Sequence, residues 1–331
     1  MLGLTDLGEF CAAVPALLGY MPTERVVVLG YRQGQDRHHV TVALSHDPHV
    51  KTEKVAMDTA EILHRQGIAE VQMLVVAAER APQLLALGER LESALFDLRI
   101  RTTIQLHAWN LETGAIWTDL ETGHGGTVPD PLSSAAAARA VLQGRTIQAS
   151  RDEIQSWFTH STPAPDLATR RWDKPETDPQ SPEFGARVLG ELAGHVNANT
   201  LAPLELAGRT GALATASVAG REGLIGLAVI NPAAAGRILT EIATHLFDWE
   251  RAEVLTAAIV CWWAAGQGTV VNIAISAALA AFAERQYPPS AFLITLEAAY
   301  RHGMPPENIA TSIIAAAETA RRVYDVELTL A

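Results

Sequence analysis

Cysteine is scarce in this chain. Cys11 and Cys261 are its only two, and their wide separation excludes a Cys-x-x-Cys redox motif, a zinc ribbon and a disulfide-stapled scaffold. Basic residues are in the minority: 25 Lys and Arg stand against 37 Asp and Glu, a formal charge of −12. Nucleic-acid binding needs clustered cations to displace counterions from phosphates, so direct contact is not expected. Long hydrophobic runs are missing too. Residues 254–265 and 270–283 are the most apolar, and each is shorter than the roughly 20 residues that span a bilayer. Gly266-Gln267-Gly268 separates them and Glu284-Arg285 closes the second, which reads as two buried helices rather than a membrane hairpin. The N-terminus has no basic stretch, and Asp6 and Glu9 interrupt its apolar residues. No signal peptide is expected, and the expected location is the cytoplasm, where free thiols are ordinary.

What is present is enough for two cores: 331 residues, 48% hydrophobic and 19% charged. Residues 5–18 read as a helix with Asp6 and Glu9 at capping-box spacing, which Pro15 should kink or end. The run Arg-Val-Val-Val-Leu-Gly-Tyr at 25–31 has the β-branched character of a strand covered on both faces. Strands are also expected at 40–44, 71–77, 100–108 and 115–118, with helices at 52–66 and 82–98 between them. The Gly- and Pro-rich residues 122–132 read as a loop. This pattern predicts an α/β sandwich domain with a mixed sheet over residues 1–160, including parallel neighbours joined by a crossover.

Five prolines lie between residues 161 and 182, which predicts an extended linker. Residues 183–331 read as an all-α, repeat-like domain. Helices are expected near 183–198, 202–218, 232–247, 249–265, 269–286, 289–302 and 305–320, with Asn231-Pro232 as a cap and first-turn proline. Trp262, Trp263, Gly266, Ala278, Phe282 and Pro288-Pro289 approach the spacing of one tetratricopeptide unit at about 255–286. Beyond residue 320, Tyr324, Val326, Leu328 and Leu330 alternate with polar residues, which predicts a strand that docks on a sheet edge of its own chain or a neighbour's.

Two stretches together carry a family resemblance. The first is residues 12–22 (Ala-Ala-Val-Pro-Ala-Leu-Leu-Gly-Tyr-Met-Pro), followed by Arg25-Val26-Val27-Val28-Leu29-Gly30. The second is residues 135–145 (Ala-Ala-Ala-Ala-Arg-Ala-Val-Leu-Gln-Gly-Arg), followed by Ser150-Arg151. With residues 263–266 and Gly303-Met304-Pro305-Pro306, this order resembles the actinobacterial domain-of-unknown-function family 4192. The charged pair Glu24-Arg25 departs from the small polar residue expected before the strand. The resemblance implies an origin in actinobacteria or their phages and plasmids, and no reaction.

Ser150, three residues before Glu153, fits a helix cap, and Arg145, Arg151 and His107 could receive an anion. His38, His39, His46 and His49 read as solvent-facing histidines on a hairpin, and His107 as an exposed strand residue. Arg170-Arg171 beside Trp172 reads as a linker anchor, and Gly123-His124-Gly125-Gly126 as a flexible loop without phosphate-binding spacing. No catalytic residue, metal or cofactor is assigned. The expected function is a non-catalytic interaction or assembly protein. It would self-associate or bind a protein through its helical half, at Trp262, Trp263, Phe282, Tyr324, Val326 and Leu328. The alternative is an enzyme or ligand-binding protein with an anion pocket at the strand ends, using Arg145, Ser150, Arg151 and His107. A capping role predicts that Ser150→Ala lowers stability by about 0.5–2 kcal/mol and that Arg151→Ala leaves the melting temperature unchanged. Loss of a ligand or partner in Arg151→Ala, at unchanged melting temperature, would assign that arginine to binding instead.

Overall fold

The computed structural model describes residues 6–32, 40, 42–46, 52–78, 81–142, 144–161, 178–284 and 286–329. The linker expectation, the hairpin histidines His38, His39 and His49, and Arg170-Arg171-Trp172 fall largely or wholly outside these residues. The chain divides into two compact units. One holds residues 1–151 and 301–303, and the other residues 152–300 and 304–331.

The first unit is a mixed sheet with helices on both faces. Its strands are β1 (Arg25–Arg32), β2 (Val42–His46), β3 (Ile68–Val76), β4 (Arg101–Ala108), β5 (Ile116–Asp119) and β6 (Gly125–Thr127), in the order β2-β1-β3-β4-β5-β6. The β3–β4 pair is parallel and is crossed over by α3 (Pro82–Asp97); the other pairs are antiparallel. As its composition foretells, β1 is buried from Val26 to Tyr31. One face carries Val26, Val28, Val71, Met73 and Val75, which pack on α3 and on α2 (Thr52–Arg65) through Ala56, Ala60, Leu63, Leu84, Leu87 and Leu91.

Helix α1 (Leu7–Leu18) crosses the opposite face. At its start, Gly8 lies so close to the carbonyl of Thr127 on β6 that a Cβ would stand 2.8 Å from that oxygen. Just beyond its end, the Tyr20 hydroxyl is 2.7 Å from Ser45 Oγ on β2. Asp6 caps α1 through the Gly8 amide, and the helix continues past Pro15 to Leu18 before Gly19 ends it in the left-handed region. Alanines make its contact with α4 (Ala135–Leu142): Ala13 and Ala16 meet Ala136, Ala137 and Ala140.

Three readings change in this unit. The glycine-rich stretch holds an edge strand, β6, because the Trp117 indole lies over Gly126, where a Cβ would be 2.6 Å from the ring, and donates to the Thr127 carbonyl at 3.2 Å. His107 is 5% exposed, not solvent-facing: it pairs with Val75 on the face covered by α2 and α3. His46 is half-buried on β2, its Nε2 3.1 Å from Thr59 Oγ1. Burial, aided by the Arg25 cation, pushes its pKa down to about 4.

The second unit is helical: α5 (Arg151–Ser156, which straddles the boundary), α6 (Pro182–Ala198), α7 (Glu205–Ala216), α8 (Val218–Gly226), α9 (Pro232–Thr244), α10 (Asp248–Ala264), α11 (Gly268–Ala283), α12 (Ala291–Arg301) and α13 (Ala310–Tyr324). The expected helix at 202–218 ends at Ser217, which is fully extended and caps a separate α8 through the Gly220 amide at 3.0 Å. Asn231 caps α9 through Ala234 as expected.

Helix α10 is the centre of this unit. Residues 250–263 are all buried, and it packs on α7, α8, α9 and α11. The α10–α11 hairpin expected at 255–286 is present, turning at Gly266 with φ +68°. In a solenoid each repeat touches only its neighbours, whereas this hairpin lies inside a bundle.

Among the described residues the expected C-terminal strand does not form. Helix α13 runs to Tyr324, and Asp325 adopts the left-handed conformation that closes a Schellman cap, with the Val326 amide donating to the Ala320 carbonyl at 3.4 Å. The Tyr324 ring lies on Gly185 of α6, and Leu328 is buried against Gly226. The alternation serves a helix end and a short strap, not a ladder.

Two outcomes follow. Gly126→Val forces the Trp117 ring aside and should lower the stability of the first unit by about 1–3 kcal/mol, with a change in Trp fluorescence; an unaltered denaturation midpoint would contradict the placement of β6. His46 takes up its proton only at lower pH when folded, so the unfolded chain binds more protons between about 4 and 6.5. Stability therefore falls as pH drops through that window. His46→Gln should flatten the slope in urea midpoints measured at pH 4.5 and 7, and an equal slope in both proteins would contradict it.

Candidate interaction surface

The interaction residues expected from sequence are mostly core. Trp262, Trp263, Phe282, Tyr324 and Leu328 are buried, and Val326 is half-buried. Trp262 lies over Gly236 of α9 and donates to Thr240 Oγ1 at 2.9 Å. Trp263 meets Tyr300 edge-on at 5.5 Å, and the Tyr300 hydroxyl donates to the Gly268 carbonyl at 2.8 Å. These rings hold α9, α11 and α12 to α10 and offer no surface.

The anion-site residues do not converge. His107 lies on the α2–α3 face of the sheet. Arg145 is half-buried just after α4, whose partner α1 covers the other face, and desolvation lowers its pKa. Ser150 immediately precedes α5, the position of a cap, and Arg151 is the first residue of that helix. An open groove of about 650 Å³ between α2 and α3 is lined by charges of both signs, among them Glu53, Lys54, Asp58 and Arg90. Among the described residues no group of three or more His, Cys, Asp and Glu could hold a metal ion, and no helix is long and apolar enough to cross a membrane.

A different surface stands out at the first turn of α10. Phe247, Trp249 and Tyr287 are 37%, 49% and 44% exposed, whereas the other aromatic side chains described in this unit are buried or half-buried. Local backbone geometry sets two of them. Asp248 begins α10 at φ +47°, a conformation rare for a residue with a Cβ, and stands between Phe247 and Trp249. Gln286, at φ +58°, ends the turn after α11 and delivers Tyr287, whose amide donates to the Phe282 carbonyl at 3.0 Å. The Trp249 and Tyr287 rings are 5.9 Å apart and inclined at 56°.

The frame beneath them is firm. His160 packs on Phe247 with ring centroids 4.3 Å apart, and the Ser161 amide donates to the Thr244 carbonyl at 2.9 Å. Trp157 stacks on Trp262 at 6.2 Å. Arg251, one turn into α10, is 6% exposed and donates to the Phe158 carbonyl at 2.6 Å. Desolvation lowers its pKa and the Glu284 carboxylate opposes that shift, so an acidic group faces the same end of the helix. Deeper along α10, Glu253 accepts from Arg221 at 2.8 Å, and Arg221 also lies 4.9 Å from the Phe292 ring centre. Removing one partner of such a buried pair costs about 3–5 kcal/mol, so α8 and α10 are fixed together.

Sequence reasoning missed this surface because Trp249 opens a run of apolar residues and reads as part of it. The detectable signal was two large rings beside charged residues, in Asp248-Trp249-Glu250 and in Glu284-Arg285-Gln286-Tyr287. Comparison with the curated proteins and with the solved structures finds no match. Comparison with protein-family models matches residues 8–307 to the domain of unknown function DUF4192. That span takes in the cores of both units, and the chain belongs to the DUF4192 family.

Proposed function

We propose that this protein is a non-catalytic interaction protein that binds a protein partner through its helical unit, at the surface formed by Phe247, Trp249 and Tyr287. One observation carries the reading. Among the described residues of this unit, where the other aromatic rings are buried or half-buried, three stand exposed on a braced helix start. Trp and Tyr are the side chains that most often dominate binding energy at protein interfaces, and a clustered apolar surface rimmed by polar groups marks an interaction site. The site of action under this reading is the cytoplasm. Burial pushes the Cys11 and Cys261 thiols up to about 12, so both are inert and neither takes part.

The test is co-purification from the source cell with tagged protein, alongside native mass. Trp249→Ala/Tyr287→Ala should release the partner while the melting temperature stays within about 1–2 °C, because both side chains are surface residues. Trp109→Ala, an exposed tryptophan of the first unit, should retain it. A partner set unchanged by the double substitution would overturn the proposal.

A further inference from the structure

We infer that two copies of this chain join at the outer edge of the sheet, where Val42–His46 of β2 pairs antiparallel with the same residues of the second copy. This contact lies in the sheet unit and is independent of the aromatic surface proposed above.

A sheet edge is a row of unpaired main-chain donors and acceptors, and proteins blunt it with charges, proline, bulges, short strands or a covering element. The two edges of this sheet differ in that respect. At β6 the strand has three residues, two of them glycine, and the start of α1 lies against its Thr127 carbonyl. At β2 the strand has five, Val-Ala-Leu-Ser-His, with no proline, no glycine and no acidic or basic residue except His46. His46 itself is uncharged near neutral pH, because burial holds its pKa at about 4. Pairing of β2 with β1 runs through all these positions without the register shift that interrupts β1–β3 and β3–β4. In an antiparallel ladder alternate residues turn their N–H and C=O groups away from the neighbouring strand. Among the described residues, no backbone hydrogen bond reaches the outer side of β2.

The edge is also held in place on both faces. Tyr20 fastens Ser45 from the α1 side, Thr59 fastens His46 from the α2 side, and Leu44 packs on the core beneath α2. A strand fixed in this way loses little freedom when another strand is added to it.

Charge and symmetry select a second copy as the occupant. A chain of net charge −12 repels its own kind, and β2 lets two copies meet without opposing like charges. Residues opposite one another in a ladder must lie on the same face. Leu44 is on the α2 face, and Ala43 and Ser45 are on the α1 face. A register that sets Leu44 against Leu44 satisfies this rule and engages the whole strand. It pairs Val42 with His46 and Ala43 with Ser45 across a twofold axis, the self-complementary arrangement of an isologous dimer.

The test is the native mass of the full chain, read from about 1 to 100 µM, because so short a strand pair is smaller than a standard interface and gives a weak dimer. The parent should shift from monomer to dimer across that range. Ala43→Lys or Ala43→Glu places like charges diagonally across the twofold axis, and each alone should weaken the dimer about fivefold. An equimolar mixture of the two variants should regain the parent's affinity as a one-to-one heterodimer, which a variant that failed to fold could not do. A monomer at every concentration, a dimer insensitive to Ala43→Lys, or a mixture no tighter than its components would overturn the inference. So would a dimer abolished by Trp249→Ala/Tyr287→Ala and kept in Ala43→Lys, which would place self-association on the aromatic surface instead.

Discussion

A helix buried on every side dictates where its neighbours can go. Helix α10 has no solvent face along residues 250–263, so its side chains must be matched by α7, α8, α9 and α11 all around its circumference. Small residues make this possible. Gly236 accepts the Trp262 ring and Gly211 accepts the Glu250 side chain, in both cases at distances that a Cβ would violate. Charges on the same helix are tolerated because they are paired: Glu253 with Arg221, and Arg251 with the Phe158 carbonyl. These contacts tie α8 and the segment after α5 to α10 and give the bundle one arrangement.

The same constraint explains why the exposed aromatic surface lies where it does. Once α10 is enclosed, its ends are where a large side chain can reach solvent, and Trp249 stands at the first turn. The left-handed Asp248 and Gln286 set the backbone directions there, while His160, Ser161 and Arg251 hold the ground beneath. A surface built this way loses little freedom on binding, which is where preorganised interfaces gain affinity. The sheet unit works differently. There the chain closes a six-stranded sheet between α2 and α3 on one face and the diagonal α1 on the other.

Much of this fold was legible in the sequence, because local signals agreed with tertiary need. The β-branched run of β1, the cap at Asp6, the Asn231-Pro232 start of α9 and the parallel β3–β4 pair joined by α3 all appear where expected. What escaped was tertiary in origin. Gly125 and Gly126 carry little strand propensity; they form β6 by pairing with β5, and the Trp117 ring covers Gly126. Period-two alternation placed His107 on a polar face, but the sheet is covered on that side too. Trp262, Trp263 and Phe282 are large apolar groups, and sequence does not say whether such a group faces a partner or its own core. A helix buried on every side, such as α10, has no solvent-facing stripe to set against an apolar one, so the exposed Trp249 at its start could not be told from the buried tryptophans near its end.

That distinction is the centre of the account, and hydroxyl-radical footprinting of the native chain measures it directly. Side-chain oxidation rates, read by mass spectrometry, should be high at Phe247, Trp249 and Tyr287, comparable to the exposed Trp109, and strongly suppressed at Trp262, Trp263, Phe282 and Tyr324. Oxidation of Trp262 and Trp263 at the rate of Trp249 would contradict it, for the central helix would then be open to solvent and the aromatic surface at its start would lose its special standing.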